Sequence, residues 1–315
     1  MKTLEYDEVD GQQVLELNLI CFGWLLSPDQ VKLIRKLDKK RVPNYFALYA
    51  VEKEEVLSQV GVVTVDTKCV HGIEKIGFIW GVCTKPSAAR RGLAKKLTEE
   101  AHTRLQGEDI RYSFLGTGKS LVAHNLYKEL GYSDLTIMDR GMKVSKPRRR
   151  FDTNVTFNST VKNDTIVDLF KSYSRGLLGF VNRPKNFLEV RKAWSWMLYN
   201  LVGMFKEDKK PIGYIIASTE GKVIKIRELC CPKIEDLQRC IKALEKEFKP
   251  NHMLLEYIIG SNLKKDFVKS GFKLFTDSWG VLMAKDIEEK HDINQIRKLY
   301  RIEEEKFHMT SIDEY

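Results

Sequence analysis

Short runs rich in Val, Ile and aromatic residues alternate along the chain with segments whose apolar residues recur every three to four positions. That mixture predicts strands interleaved with helices. After a short first strand, helical segments are expected at Gln12–Cys21 and Asp29–Lys39, followed by strands at Tyr45–Val51, Val60–Val65 and Ile76–Cys83. A helix over 91–105 then turns Leu93, Leu97, Ala101 and Leu105 to one side, and strand 111–115, helix 121–130 and a last strand at 139–144 complete a first half. The second half runs through strands 212–217 and 223–231 into a helix whose Leu237, Cys240, Ile241, Leu244 and Phe248 share a face. Strand 253–259, a short helix and strand 281–286 follow, and the charged tail from Ile287 reads as a surface helix.

The two halves carry an echo. Tyr127-x-x-x-Gly131-Tyr132 in the first corresponds to Phe267-x-x-x-Gly271-Phe272 in the second, each after a strand and before the last strand of its half. A tandem duplication with a mixed α/β (α+β) fold is expected, each half a mixed central sheet flanked by helices. The domains are expected at 1–145 and 151–315, with the basic Lys146-Pro147-Arg148-Arg149-Arg150 as a solvated linker, because Pro147 interrupts regular structure and no aromatics interleave for base stacking.

Composition narrows the function only a little. With 53 basic against 43 acidic residues the net charge is +10, which suits an anionic partner such as a phosphorylated cofactor, a nucleic acid or a membrane surface. The first residues show charges with no apolar block behind them, and no apolar run reaches the roughly 20 residues of a bilayer crossing, so a cytoplasmic protein without a membrane partner is expected. The six cysteines form no Cys-x-x-Cys pair and match no histidine spacing, so no metal site is expected.

Gly116-Thr117-Gly118-Lys119-Ser120 has the last letters of a nucleotide-binding phosphate loop, but the glycine required five positions before Gly118 is Ser113, inside a hydrophobic strand. The stretch reads as a strand-to-helix turn with Ser120 as helix N-cap. A stronger anion cradle is "WGVCTKPSAARRGLAKKL", residues 80–97, where a strand ends, a short loop follows and Gly92 opens a helix. Backbone N–H groups at a helix start bind a pyrophosphate, and Arg90, Arg91, Lys95 and Lys96 add positive charge. Spacing alone leaves an ordinary strand-to-helix connection equally open.

Val82-Cys83-Thr84-Lys85-Pro86 followed by Ala89-Arg90-Arg91-Gly92-Leu93-Ala94 resembles motif A of the GNAT superfamily, the acetyl-CoA-dependent N-acetyltransferases, and Ala123-x-x-Leu126-Tyr127-x-x-x-Gly131-Tyr132 resembles its motif B. The family's Gln or Arg is replaced by Ala89. The resemblance implies a two-domain enzyme that transfers acetyl from acetyl-CoA to an amine by direct attack in a ternary complex. It implies that Val82, Cys83 and Thr84 hold the pantetheine arm through their backbone. The N–H groups of Arg90, Arg91, Gly92, Leu93 and Ala94 would then meet the pyrophosphate, with Ala89 and Lys95 completing the cofactor-binding stretch. Tyr127 falls on the family's general-acid position, with a reference pKa near 10 that keeps it protonated at neutral pH. Glu74, just before the strand carrying Trp80, is the candidate base on position, with Asp66 and His71 no worse. In the second half no glycine lies between Gly221 and Gly260, Glu235 and Asp236 stand at the helix start, and Phe267 replaces the tyrosine, so that half is expected not to catalyse. The alternative is a non-catalytic module that senses CoA or binds nucleic acid. The acceptor, a small molecule or a protein N-terminus, and the oligomeric state are not encoded in any motif.

Overall fold

The computed structural model describes residues 1–145, 153–194, 199–259, 263–275 and 280–313. The expected linker 146–150 lies outside them.

In chain order the first half contains β1 (Lys2–Glu5), α1 (Gly11–Phe22), α2 (Pro28–Leu37), β2 (Ala47–Glu52), β3 (Glu55–Cys69), β4 (Gly72–Thr84) and α3 (Leu93–Gly107), then β5 (Tyr112–Gly118), α4 (Val122–Glu129), β6 (Ser133–Ile137) and β7 (Asp139–Val144). The second contains β8 (Thr156–Asn158), α5 (Asn163–Tyr173), β9 (Leu178–Gly179), α6 (Phe187–Ala193), β10 (Leu201–Glu207), β11 (Lys210–Glu220), β12 (Val223–Cys230) and α7 (Ile234–Phe248). It continues with β13 (His252–Ile259), α8 (Leu263–Lys269), β14 (Lys273–Phe275), β15 (Gly280–Asp286), α9 (Ile293–Leu299) and β16 (Phe307–Thr310), and ends in a 3-10 turn at Ser311–Asp313. The mixed α/β class is as expected.

Two mixed sheets form. In the first, β2, β3 and β4 pair antiparallel in sequence, and β5 joins β4 in parallel. In the second, β10, β11 and β12 pair antiparallel and β13 joins β12 in parallel. The sheets meet through β16, which pairs with β13 on one side and β9 on the other.

The sheets do not divide the chain at 146–150. β15 of the second half pairs antiparallel with both β5 and β6 of the first sheet, while β7 of the first half pairs with β13 and β14 of the second. Only Met138 separates β6 from β7, too short a connection for an antiparallel hairpin, so β7 cannot fold back on β6. Strand β15 fits the vacated slot because its residues alternate correctly: Leu282 and Ala284 enter the core on one face of the first sheet, Val281 and Met283 the core on the other. Each exchanged strand also sends a lysine to the end of the opposite half's helix. Lys285 donates to the Leu130 carbonyl at 2.8 Å, and Lys143 donates to the Ser270 carbonyl at 2.8 Å.

The sequence echo has a structural counterpart. The Tyr132 amide donates to the Tyr127 carbonyl and the Phe272 amide to the Phe267 carbonyl, both at 3.0 Å, and each ring pair packs edge-on. The helix faces also follow the sequence pattern: Leu93, Leu97, Ala101 and Leu105 of α3, and Leu237, Cys240, Ile241 and Leu244 of α7, are buried. The tail departs from the surface helix expected of it. Ile296 and Leu299 of α9 join the first core, and β16 runs through the middle of the molecule.

Candidate functional site

The site forms where two parallel strands separate. β4 and β5 are paired from Ile76/Tyr112 to Ile79/Leu115 and no further, so the ends of both strands diverge. On its other edge β4 stays paired to β3, but the register slips between Trp80 and Cys83, with Gly81 at φ +55°. This bulge turns the strand end outward. Two wholly buried amides hold it there: Gln59 donates to the Gly81 carbonyl at 2.9 Å, and Asn18 of α1 donates to Gln59 at 2.9 Å. Ser58 donates to the Cys83 carbonyl at 2.6 Å. Among the described residues no strand fills the gap between β4 and β5.

Beyond β4 the chain makes one 3-10 turn at Pro86–Ala88 and passes through Arg90 at φ +61° and Gly92 at φ +73° into α3. Gly92 is the N-cap and offers no side chain to the helix, no acid lies in the first turn, and the space beside the Gly92 Cα is open. The first N–H groups of α3 therefore face outward without a capping partner, as an anion site requires. Arg91 is held by both carboxylate oxygens of Glu52, at 2.9 and 3.0 Å, and Lys95 lies 3.9 Å from Glu129. Arg90 and Lys96 have no ion pair among the described residues.

Tyr127 lies on α4 beside the gap. It is 6% exposed, packs edge-on against Tyr132, and its burial, together with nearby Cys83, raises its pKa well above the usual tyrosine value. The proton therefore stays on Tyr127 at neutral pH. Ser120 does not cap α4: the N-cap is Leu121, without a side-chain hydrogen bond.

Val82, Cys83 and Thr84 form the open end of β4, while Ala89 through Lys95 form the loop and first turn of α3, so these residues are brought together with Tyr127. Glu74 is not. It stands at the start of β4, nine residues before Cys83, which at the rise of a strand is about 30 Å away. Burial raises its pKa, opposed by Arg111 and His71, and it lies opposite Thr67 of β3, at the far end of β4 from the gap.

One neighbour went unread in the sequence. Cys21, at the end of α1, is hydrogen-bonded to the Cys83 thiol and sits 3.7 Å from the Thr84 carbonyl; that bond, with Lys85 nearby, lowers its pKa to about 7 although partial burial opposes it. The Cys83 thiol is correspondingly pushed up by Cys21 and by burial, so it stays neutral. Phe22 and Trp24 stack at 4.2 Å, and Trp24 lies against Gly81, 3.7 Å from where a Cβ would stand. The one sequence signal was the glycine inside strand Trp80-Gly81-Val82, a mark of a bulge.

Residues 3–134 match the family model described as an acetyltransferase (GNAT) domain. The match covers less than half of the chain. The matched stretch includes the gap, the loop and Tyr127 and stops before β7. The whole chain resembles solved structures. A GCN5-related N-acetyltransferase from Anabaena variabilis superposes with a TM-score of 0.66 at 14% identity, covering 91% of this chain and 72% of that one. A probable N-acyltransferase of unknown function from Enterococcus faecalis gives 0.64 at 14% identity, covering 91% and 71%. A GCN5-related N-acetyltransferase from Kribbella flavida gives 0.61 at 16% identity, covering 90% and 70%. At these identities the likeness establishes the fold over nine-tenths of the chain. No curated protein matches the sequence. Among the described residues no helix is long and apolar enough to cross a membrane.

The second half has the same divergence with a different outcome. β12 and β13 pair from Val223/His252 to Ile226/Leu255 and then separate, but the freed edge of β13 is taken by β16, with Ile258 opposite Thr310 and Ile259 opposite Met309. The 3-10 turn follows into the gap, where Ser311 donates to the Arg227 carbonyl at 3.4 Å. Glu235 and Asp236 occupy the first turn of α7, and Phe267, 3% exposed, stands in place of Tyr127.

Proposed function

We propose that the chain is an acetyl-CoA-dependent N-acetyltransferase whose first half binds the donor and catalyses, and whose second half has lost both roles. The observation that carries this reading is the contrast between the two gaps: β4 and β5 leave theirs open beside an uncapped, acid-free helix start, whereas β16 closes its counterpart.

The fit to the donor is physical. An extended pantetheine arm can add to the exposed backbone edge of Val82, Cys83 and Thr84 as a strand would. The Ala89 amide is taken by the Pro86 carbonyl at 3.3 Å, so the N–H groups from Arg90 to Lys95 face the pyrophosphate, through main-chain contacts that an alanine at 89 does not remove. Acetyl-CoA supplies the acetyl group as an activated thioester. Tyr127 holds a proton beside the gap and donates a hydrogen bond where thiolate charge develops, which lowers the barrier to its departure. The Cys83 thiol, kept neutral, serves as packing and not as an acyl carrier, consistent with direct attack by the amine. Phe22, Trp24 and the bulge at Gly81 border the acceptor's side of the gap.

Two measurements test the proposal. Acetyl-CoA is expected to raise the melting temperature of the full chain, and Tyr127→Phe is expected to lower kcat by about 10²-fold, the usual worth of a positioned acid, while leaving that thermal shift intact. No thermal shift at saturating acetyl-CoA, or full turnover by Tyr127→Phe, contradicts it.

A further inference from the structure

A second cavity lies in the other half, on the flank of the closed gap. It is an open-sided cavity of about 210 Å³ between the end of β12, the first turn of α7, α8 and the segment after α5, with Ile234 at its rim. Its position is the counterpart of the first half's donor site, since Asp266 directly precedes Phe267, the residue that answers to Tyr127. The volume is below the ~300–1,000 Å³ of drug-sized sites and suits a molecule of amino-acid size.

Its walls are apolar. Leu229, Ile234 and Leu237 line it, with Leu237 only 2% exposed. Three charged side chains join them with little to neutralise them. Asp266 is 6% exposed, yet its only ion pair among the described residues is with Lys269, itself 70% exposed and 3.9 Å away. A carboxylate with so little exposure is stabilised by a close cation or donor, and among the described residues the distant Lys269 is its only charged partner. Arg175 and Lys306, also lining the cavity, have no ion pair among the described residues. The Tyr173 hydroxyl, on the same wall, is buried without a hydrogen-bond partner among the described residues. Nothing in the proposed acetyl transfer uses these groups.

We propose that this cavity binds a small zwitterion, an α-amino acid with an apolar side chain. Asp266 receives the ammonium group, Arg175 and Lys306 the carboxylate, and Leu229, Ile234 and Leu237 enclose the side chain. The arrangement explains why a half with no open gap keeps a cavity where the donor would lie. The ligand class follows from opposite charges sharing one small, largely apolar cavity: a carboxylate ligand would leave Asp266 with only the exposed Lys269, and a plain amine would leave both cations facing only solvent.

The test is a melting series on the full chain without acetyl-CoA, using L-leucine, 4-methylpentanoate, which lacks the ammonium group, and 3-methylbutylamine, which lacks the carboxylate. L-leucine at about ten times its Kd is expected to raise Tm by about 2–4 °C, with neither single-charge probe matching it at equal concentration. Asp266→Asn is expected to weaken L-leucine at least about tenfold. Leu237→Trp, which fills the chamber, should abolish the shift; should that variant not fold, Asp266→Asn decides. The proposal is overturned by the absence of a shift with L-leucine, L-isoleucine, L-valine and L-methionine, by a shift that 4-methylpentanoate or the amine reproduces, or by one that survives Asp266→Asn, which would place the amino acid elsewhere.

Discussion

Cutting the chain at its apparent domain boundary removes β15 from a sheet that it completes. A fragment ending at Ser145 keeps β5 and β6 but loses Val281, Leu282 and Met283, each 0% exposed in the intact chain. At about 1.5–3 kcal/mol per fully buried side chain of this size, the loss is about 5–9 kcal/mol, comparable with the ~5–15 kcal/mol by which a whole domain is stable. The fragment's own β7 cannot take the slot. Aligning Lys143 with Lys285, the lysines that play matching roles, would put Arg140 where Leu282 is buried and Asp139 where Val281 is buried, and Met138 alone cannot form the turn. The fragment is therefore expected to show no cooperative thermal transition by circular dichroism and poor amide dispersion by NMR. In the intact chain, Leu282→Ala should destabilise the first half by about 2–5 kcal/mol although it lies far along the sequence. A monomeric 1–145 fragment with a sharp melting transition and native dispersion would refute the exchange.

Other outcomes follow from the same geometry. Gly92→Ala places a Cβ in open space but at φ +73°, so it should cost about 1–2 kcal/mol of stability, read in denaturant melts, and weaken acetyl-CoA by crowding the approach to the α3 amides; unaltered affinity would move the cradle elsewhere. Cys21 is the one cysteine of the six that is not buried, so alkylation of the native chain should fall on it and accelerate as pH rises through about 7, where its thiolate forms; mass spectrometry of iodoacetamide-treated protein at several pH values checks this, and labelling at a higher midpoint would contradict the contact with Cys83.

Much of the fold was legible because the residues that form it are local. The periodicities over 91–105 and 234–248 give α3 and α7, and the paired Tyr127/Gly131/Tyr132 and Phe267/Gly271/Phe272 motifs mark the repeat. The exchange of β7 and β15 was not legible: both strands read alike as last strands, and their destinations depend on the single-residue connection at Met138 and on which slot accepts Arg140. The loop and helix start at 89–95 were legible from Gly92 and the strand before it, whereas Glu74 was chosen by its position just before a strand that begins earlier than expected, which puts Glu74 at the far end from the gap. Cys21 comes to Cys83 only through the packing of α1 on the bulge, which no spacing encodes. The closing of the second gap by β16 depends on a strand that begins at Phe307, within a tail whose charge suggested only a surface helix.

The central claim is that one gap is open to the donor and the other is closed. Isothermal titration of the full chain with acetyl-CoA measures it directly. One site per chain is predicted, lost in the variant Gly92→Val and retained in Phe267→Tyr without a second site appearing. A stoichiometry of two, or binding that survives Gly92→Val unchanged, would contradict it.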